Sequence, residues 1–235
     1  MAKSQALPKY IQTSEMLIRE IAAGHLVDGA RLPPERDMAA GLDISVGTLR
    51  KALADLEDKG MLERVQGSGN YIRQKADVSS VYAFFRLEKV SGGGLPHAEI
   101  LSVDRLPKPK GAPDFGASPE GHRIRRLRRL DDTLIALEEI WLDGGFEQAF
   151  TTVNFSDSLY HFYREELKIV IASVEDRIGV AAVPKWSPKG FHLRAGQPAG
   201  FIERVSWTGA QAPVEYSRTW FDTERARYVS RMGRG

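Results

Sequence analysis

Apolar side chains recur at helical spacing near the start of the chain, and Gly24 follows them at a position where helices commonly stop. This pattern predicts a first helix over residues 8–23. Its apolar positions are Ile11, Leu17, Ile18 and Ile21.

Two further helices are predicted before residue 60. Two prolines directly precede Glu35, and proline fits the first turn of a helix while an acid suits its positive end. A second helix is therefore predicted over residues 34–42. Ser45 can cap a third helix that ends at Gly60. The apolar stripe of the third helix consists of Val46, Leu49, Leu53 and Leu56.

Two short helices joined by a tight turn form a helix-turn-helix when the second has a polar leading edge that can meet bases in the major groove. Here that edge consists of Gly47, Thr48, Arg50 and Lys51. Residues 61–73 then alternate apolar and polar positions on both sides of a Gly-Ser-Gly tip, which predicts a β-hairpin, or wing. Glycine at the tip lets the backbone approach a phosphate or the minor groove, and Arg64 and Arg73 flank the hairpin with charge.

The rest of the chain mixes strand-like stretches with one helical stretch, from Leu159 to about Val183. We expect an α+β fold in which an antiparallel sheet packs against helices. Residues 75–80 are short and polar and are interpreted as a linker between a domain of residues 1–74 and a domain of residues 81–235. The strand-like stretches are residues 81–90, 122–130, 134–142, 199–207 and 213–221.

Five arginines crowd the stretch from Arg123 to Arg129. With the period of two of a strand, Arg126 and Arg128 share a face with apolar neighbours, whereas Arg125 and Arg129 lie on the other face. Two arginines among apolar side chains need an anionic partner because a buried unpaired charge is expensive. That partner is an internal carboxylate or a bound anion.

Composition narrows the function. The formal net charge is +2, and residues 1–74 carry ten Lys/Arg against ten Asp/Glu, so any DNA binding depends on where particular cations lie.

The chain has no cysteine, which excludes disulfides, zinc ribbons and thiol catalysis. Its five histidines are scattered and its glycine-rich loops lack a phosphate-loop pattern, so no metal and no cofactor are expected. No apolar run is long enough to cross a bilayer, so we expect a cytoplasmic protein that does not enter membranes.

The stretch RLPPERDMAAGLDISVGTLRKALADLEDKGMLERVQGSGNYI resembles the DNA-binding half of the GntR superfamily of bacterial regulators. The resemblance implies that Arg36 and Thr48 hold phosphates, Arg50 reads a base and Gly67 enters the minor groove. Where the family usually has arginine after the helix-capping serine, this chain has Val46. The alternative is that these cations form an ordinary solvated face. The complete expected DNA-binding set is Arg36, Ser45, Gly47, Thr48, Arg50, Lys51, Gly67 and Ser68.

The segments RRLRRLDDTLIALEEIWLD, SDSLYHFYREEL and GQPAGFIERVSWTGAQAPVEYSRTWF are similar to the effector domain of the HutC branch, called UTRA. The resemblance implies a chorismate-lyase-like fold that binds a small polar metabolite. It implies ligand contacts at Arg126, Arg128, Glu138, Ser158, Tyr160 and Glu215. Arg86 is expected to add an anion contact or to point to solvent. The alternatives are an ion pair between Glu138 and Arg126 or Arg128, and a purely structural role for Tyr160 as a core aromatic residue.

Together these features predict a transcription regulator whose partners are double-stranded operator DNA and a small-molecule effector. We expect a repressor that acts as a homodimer, because helix-turn-helix regulators generally bind pseudo-palindromic sites. It has no catalytic residues in this interpretation. Two alternatives stay open, namely a lyase-like enzyme carrying a DNA-binding head and a structural DNA-binding dimer that senses nothing.

Overall fold

The computed structural model describes residues 7–22, 25–73, 82, 84–146, 150, 158–209 and 212–231. The chain divides into two compact units. The N-terminal unit comprises Leu7–Arg86 together with residues 229–231, and the sheet unit comprises Leu87–Tyr228. The predicted linker, residues 75–80, lies outside the described residues. None of the helices in the described part of the chain is long and apolar enough to span a bilayer.

The N-terminal unit contains the three predicted helices followed by the predicted hairpin. The hairpin strands pair antiparallel, from Leu62 opposite Ile72 to Val65 opposite Gly69. The helix-turn-helix and wing expected from the sequence are therefore confirmed, with ends within about two residues. The elements are α1 (Lys9–Ala22), α2 (Glu35–Gly41), α3 (Val46–Asp58), β1 (Leu62–Val65) and β2 (Gly69–Ile72).

The core of this unit forms where the apolar stripe of α3 meets α1 and the base of the hairpin. Leu49, Leu53 and Leu56 are fully buried, as the spacing of the stripe predicts. Burying each such side chain stabilises the fold by about 1.5–3 kcal/mol. A polar contact also joins the two helices, since Lys59 Nζ lies 2.6 Å from Asp55 Oδ2 and 3.4 Å from the buried Glu15 Oε1.

The sheet unit is built on an antiparallel sheet that has six strands within the described residues, in the order β4-β5-β6-β9-β8-β7. A separate two-stranded sheet pairs β3 with β10. The elements are β3 (Leu87–Lys89), β4 (Pro96–Pro107), β5 (Glu120–Leu130), β6 (Thr133–Asp143), α4 (Leu159–Glu166), β7 (Ile171–Ala182), β8 (Pro198–Thr208), β9 (Pro213–Phe221) and β10 (Ala226–Tyr228).

The two faces of the large sheet differ in chemistry. Residues directly opposite each other on neighbouring strands share a face, so the register sorts the side chains. One face, called the aromatic face here, carries Leu127, Leu137 and Trp220, which pack with Trp186 and Phe201. The other, called the polar face, carries ionisable side chains from several strands, namely Arg126, Arg128, Glu138, Glu215, Arg204 and Asp176.

The predicted helix over residues 159–183 is wrong beyond its first eight residues. α4 ends at Glu166, Lys168 has a positive φ of 58°, and the chain continues as strand β7. Apolar side chains at residues 171, 174 and 178 fit helical spacing, which explains the misreading. The same segment is rich in β-branched residues, and antiparallel pairing with β8 decides in favour of a strand.

One strand prediction needs correction, one strand was not predicted, and four strand predictions are confirmed. The stretch 81–90 contains only the short strand β3, and the described residues before it are not extended strand. Strand β4 was not predicted at all, although it is among the longest in the sheet. The predicted stretches 122–130, 134–142, 199–207 and 213–221 coincide with β5, β6, β8 and β9.

Gly200 in β8 offers a test of how tightly the polar face is packed. It lies opposite Phe221, and a Cβ at Gly200 would stand 2.3 Å from the Cζ of that ring. Gly200→Ala should therefore lower the thermal unfolding midpoint, with a loss of about 1–3 kcal/mol from overpacking. Gly179→Ala is the matched control, because a Cβ there meets nothing within 4 Å. Equal midpoints for the two variants would contradict this packing.

Candidate functional sites

The exposed N-terminal end of α3 is fixed by its cap. Ser45 Oγ accepts a hydrogen bond from the Thr48 backbone nitrogen at 3.1 Å and lies 2.8 Å from Thr48 Oγ1. This satisfies one of the free N–H groups at the start of the helix, as the sequence predicted. Gly47, Arg50 and Lys51 on the same leading edge are exposed. The edge is thus available to a partner in the groove of a duplex.

Glu35 at the start of α2 holds the side chain of Arg50. Glu35 Oε2 accepts a hydrogen bond from Arg50 Nε at 2.7 Å, and this contact holds the pKa of Glu35 below its ordinary value. Asn70 and Arg64 of the wing also help to hold the pKa of Glu35 down, and Arg64 donates to the backbone oxygen of Arg50. Glu35 therefore joins α2 to α3, and Arg64 joins α3 to the hairpin. No sequence pattern indicated this role for Glu35, which follows the two prolines.

The tip of the wing has the backbone that the sequence predicts. Gly67 is exposed and has a φ of +75°, a conformation that favours glycine. Ser68 Oγ lies 2.6 Å from the hydroxyl of Tyr71, which braces the tip against β2. The two arginines that flank the hairpin are engaged by surface carboxylates, Arg64 by Glu57 and Arg73 by Glu63. Their charge is therefore partly neutralised.

Arg31 is a further cation beside the wing that the sequence analysis missed. It forms an isolated β-bridge with Tyr71, and its Nε lies 3.0 Å from where a Cβ on Gly69 would stand. The guanidinium is thus packed over the second glycine of the tip. Arg36, in the first turn of α2, is exposed. Of the eight predicted DNA contacts, Thr48 and Ser68 are half-buried and the other six are exposed.

On the polar face of the sheet, two buried arginines share one carboxylate. Arg126 Nε bonds Glu138 Oε2, and Arg128 Nε lies 3.3 Å from Oε1 and 3.2 Å from Oε2 of the same glutamate. All three side chains are less than 10% exposed. Burial alone would raise the pKa of Glu138, but the two guanidinium groups outweigh it and hold that pKa below the ordinary value. The internal carboxylate expected from the sequence is therefore Glu138.

This arginine cluster, formed by Arg126, Arg128 and Glu138, brings two guanidinium groups to one carboxylate. Within the described residues, the Nη1 atom of Arg126 is buried and has no hydrogen-bond partner. A buried guanidinium normally has its donors satisfied, because an unsatisfied charged donor costs more than about 1–3 kcal/mol. The cluster can therefore donate a hydrogen bond from Arg126 to a negatively charged or strongly polar group without losing its contacts to Glu138.

A second group on the same face surrounds Glu215. Tyr163 Oη donates to Glu215 Oε2 at 2.7 Å, and Ser206 Oγ and Tyr160 Oη donate to Oε1 at 2.9 and 3.1 Å. Burial raises the pKa of Glu215, and these three hydrogen bonds offset only part of that shift. This glutamate cluster, formed by Glu215, Tyr160, Tyr163 and Ser206, joins α4 to β8 and β9.

Arg204 and Asp176 extend the polar face towards the edge of the sheet. Arg204 donates from Nε to Asp176 Oδ1 at 2.6 Å and from Nη2 to Oδ2 at 2.7 Å. Tyr228 Oη also donates to Asp176 Oδ2 at 2.7 Å. Arg204 further contributes a hydrogen bond to Tyr160, which connects this pair to the glutamate cluster.

The two clusters lie at different heights along one pair of strands. Glu138 on β6 is opposite Thr219 on β9, and Glu215 lies four residues away on the same strand. At a rise of about 3.3 Å per residue, the two glutamates are anchored roughly 13 Å apart. The charge of Arg126 lowers the pKa of Glu215 as well as that of Glu138, so the two clusters are coupled electrostatically.

The predicted effector residues form two clusters, and two of them lie apart from both. Arg126, Arg128 and Glu138 are together, and Tyr160 and Glu215 are together. Ser158 is buried at the start of α4, where its Oγ accepts from the His161 backbone nitrogen at 3.3 Å, so it caps the helix. Arg86 belongs to the N-terminal unit and its role as an anion contact stays a prediction.

Sequence reasoning missed Tyr163, Ser206 and Arg204. The signal was present, since residues 204 and 206 alternate on one strand face and residue 163 is one helical turn from Tyr160. No group of three or more His, Asp or Glu side chains in the described ranges is arranged to hold a metal ion.

Comparison with known protein families identifies both units. Residues 9–72 match the model described as bacterial regulatory proteins, gntR family, and residues 91–227 match the UTRA domain. The solved structure of the possible transcriptional regulator YydK from Bacillus subtilis has a similar fold, with a TM-score of 0.53 and 21% identity. That comparison covers 97% of this chain and 100% of that one.

Two curated relatives extend over nearly the whole chain. The HTH-type transcriptional regulator SmoD from Agrobacterium fabrum is 56% identical over 227 residues, which is 97% of each protein. The mannosyl-D-glycerate transport/metabolism system repressor MngR from Escherichia coli is 29% identical and covers 94% of this chain and 95% of its own length. The chain therefore belongs to the GntR family, as a DNA-binding transcription regulator whose ligand-sensing part is a UTRA domain.

Proposed function

We propose that this regulator is a homodimeric repressor that leaves its operator when a small anionic metabolite binds the polar face of the sheet. The unsatisfied Nη1 of Arg126 is the observation that carries the proposal, because within the described residues it lies buried beside a second arginine that binds the same carboxylate. A carboxylate or phosphate on the ligand would satisfy it in the geometry that guanidinium groups prefer. The relative from E. coli is named a repressor, which supports this direction of control.

The DNA-binding surface in this proposal is the leading edge of α3 together with the wing tip. Arg50 is exposed and already oriented by Glu35, so it needs little reorganisation to meet a base edge in the major groove. Arg36 and Thr48 supply phosphate contacts, and Gly67 lets the wing approach the minor groove. A second copy of the chain would present the same edge to the other half of a pseudo-palindromic operator. Since it acts on bacterial operator DNA, the proposal places the protein in the cytoplasm.

Hydroxyl and carboxyl groups of the glutamate cluster supply the specificity of the sensing site in this proposal. Tyr160, Ser206 and Glu215 can exchange their mutual hydrogen bonds for bonds to ligand hydroxyls. The ligand changes operator affinity only if it binds the DNA-competent and the incompetent arrangement unequally. A typical coupling of about 1–3 kcal/mol would change operator affinity roughly 5- to 150-fold.

Arg50→Ala tests the base contact. The preference for operator over random DNA should fall by about 1–3 kcal/mol, because a bidentate base contact is lost. Fluorescence anisotropy with both duplexes at one salt concentration measures this ratio. Arg105→Ala is the matched control, since Arg105 Nε also pairs with a surface glutamate, Glu120, at 2.9 Å but lies on the sheet unit. An unchanged ratio for Arg50→Ala would refute the base contact.

Glu35→Gln tests whether this carboxylate positions Arg50. Removing the negative charge should strengthen binding to random DNA, whereas the loosened Arg50 should lower the operator preference. The second effect should vanish in the Arg50→Ala background, which a double-mutant cycle detects. Glu120→Gln, which alters the partner of Arg105, serves as the control. Additive effects of the two substitutions on operator preference would show that Glu35 acts independently of Arg50.

Arg126→Ala tests the anion site. Candidate sugar phosphates and sugar acids that raise the thermal midpoint of the unaltered protein should no longer do so, while operator affinity without ligand stays within about twofold. Arg125→Ala is the matched control, because Arg125 is the adjacent strand residue and pairs with Glu139 on the aromatic face at 2.7 Å. The same midpoint shift in the Arg126 variant as in the unaltered protein would place the ligand elsewhere.

A further inference from the structure

Strand β7 ends the large sheet and is unusually exposed for a strand of its length. It runs over 12 residues at the end of the six-stranded sheet, and all of its side chains except that of Ile171 are half-buried or exposed. Ile178 and Val180 are 56% and 75% exposed, and Val170 just before the strand is 60% exposed. These are among the most exposed large apolar side chains in the described residues. Such an edge offers unpaired backbone N–H and C=O groups to another strand.

Proteins usually protect a free edge of this kind, and β7 has few of the usual devices, since its charged residues are confined to Glu175, Asp176 and Arg177. Short length, proline, lysine and inward-pointing charge are the common devices. The strand contains no proline and no lysine, and its register irregularity lies at one end, between Ile171 and Ser173. At the opposite edge of the sheet, β4 begins and ends with proline and has three buried residues in its first half. Only the β7 edge is left suited to pairing among the described strands of this sheet.

The sequence of β7 is complementary to itself when it is reversed about Asp176. A two-fold axis at this residue places Glu175 of one copy opposite Arg177 of the other, and the reverse pair follows by symmetry. Val174 then lies opposite Ile178 and apolar positions meet apolar positions along nearly the full strand. Shifting the axis by one residue would set Glu175 or Arg177 opposite its own copy, and like charges there are destabilising.

The charges needed for this pairing are exposed on the aromatic-face side of the strand. Glu175 and Arg177 have side chains that are 51% and 69% exposed and bond each other within one chain at 2.8 Å. Asp176, which would face its own copy, has its charge compensated, because Arg204 binds both of its carboxylate oxygens. Repulsion at the axis is therefore small, and Glu175 and Arg177, already paired within each chain, each face an opposite charge on the other copy.

We propose that β7 pairs antiparallel with β7 of a second copy of this chain, which joins the two sheets into one continuous sheet. The inference rests on the homodimer of the proposed function and specifies its interface. Because Asp176 and Arg204 lie at this edge and Arg204 bonds Tyr160, the interface is continuous with the glutamate cluster of the sensing face. A ligand that rearranges the cluster would thus act directly on the strand that faces the partner copy.

Charge exchange on β7 tests this interface. Glu175→Arg and Arg177→Glu, each alone, should weaken self-association by about tenfold or more, since like charges face each other in two places. The double variant Glu175→Arg/Arg177→Glu should recover the dissociation constant of the unaltered protein. Mixing the two single variants should give mixed dimers in preference to either homodimer. Analytical ultracentrifugation over a concentration series measures self-association in the two single variants, the double variant and the mixture. Arg105→Glu, on β4, is the control.

The outcomes separate this inference from the proposed function. Dimers that tolerate both single exchanges would overturn the β7 interface while the homodimer stands. A protein that stays monomeric at every concentration would overturn both. Single variants that dissociate without rescue in the double variant or in the mixture would also reject the register about Asp176. Thermal midpoints of the single variants close to that of the unaltered protein would show that they fold, as expected for exposed positions.

Discussion

The need to compensate buried charge governs the sensing half of this protein. Arg126 and Arg128 are held inside the sheet unit by one glutamate, and a buried ion pair of this kind is tolerated only when its geometry satisfies both partners. The compensation is incomplete at Arg126 Nη1. The polar face is thus stable enough to fold while, among the described residues, one buried guanidinium donor is left without an acceptor.

On the DNA-binding surface the same kind of ion pair has the opposite purpose. Arg50 and Glu35 pair at the surface, where water screens the charges and the contact contributes little stability. In the proposed function its value lies in orientation, because a guanidinium restrained beside the start of α3 loses less freedom on meeting a base. Under that proposal, burial distinguishes the arginine that binds a ligand from the arginine that contacts DNA.

The fold was predictable where local signals agree with tertiary packing. In the N-terminal unit the caps, the apolar stripe and the glycine turn all indicate the same elements, and each forms close to its predicted ends. Strand β7 was misread because residues 171, 174 and 178 satisfy helical spacing as well as strand composition. Strand β4 escaped notice because only its pairing with β5 identifies its irregular pattern as extended.

The sequence by itself determined the helix-turn-helix with its wing, the strand alternation that separates Arg126 from Arg125, and the need for an anion near the former. Only the tertiary structure decided which carboxylate pairs with Arg126 and which side chains surround Glu215. The physical reason is that helices and turns depend on neighbours within a few residues, whereas the polar face joins side chains from strands far apart in the chain. Their contacts follow from the register of the strands, and no local pattern records that register.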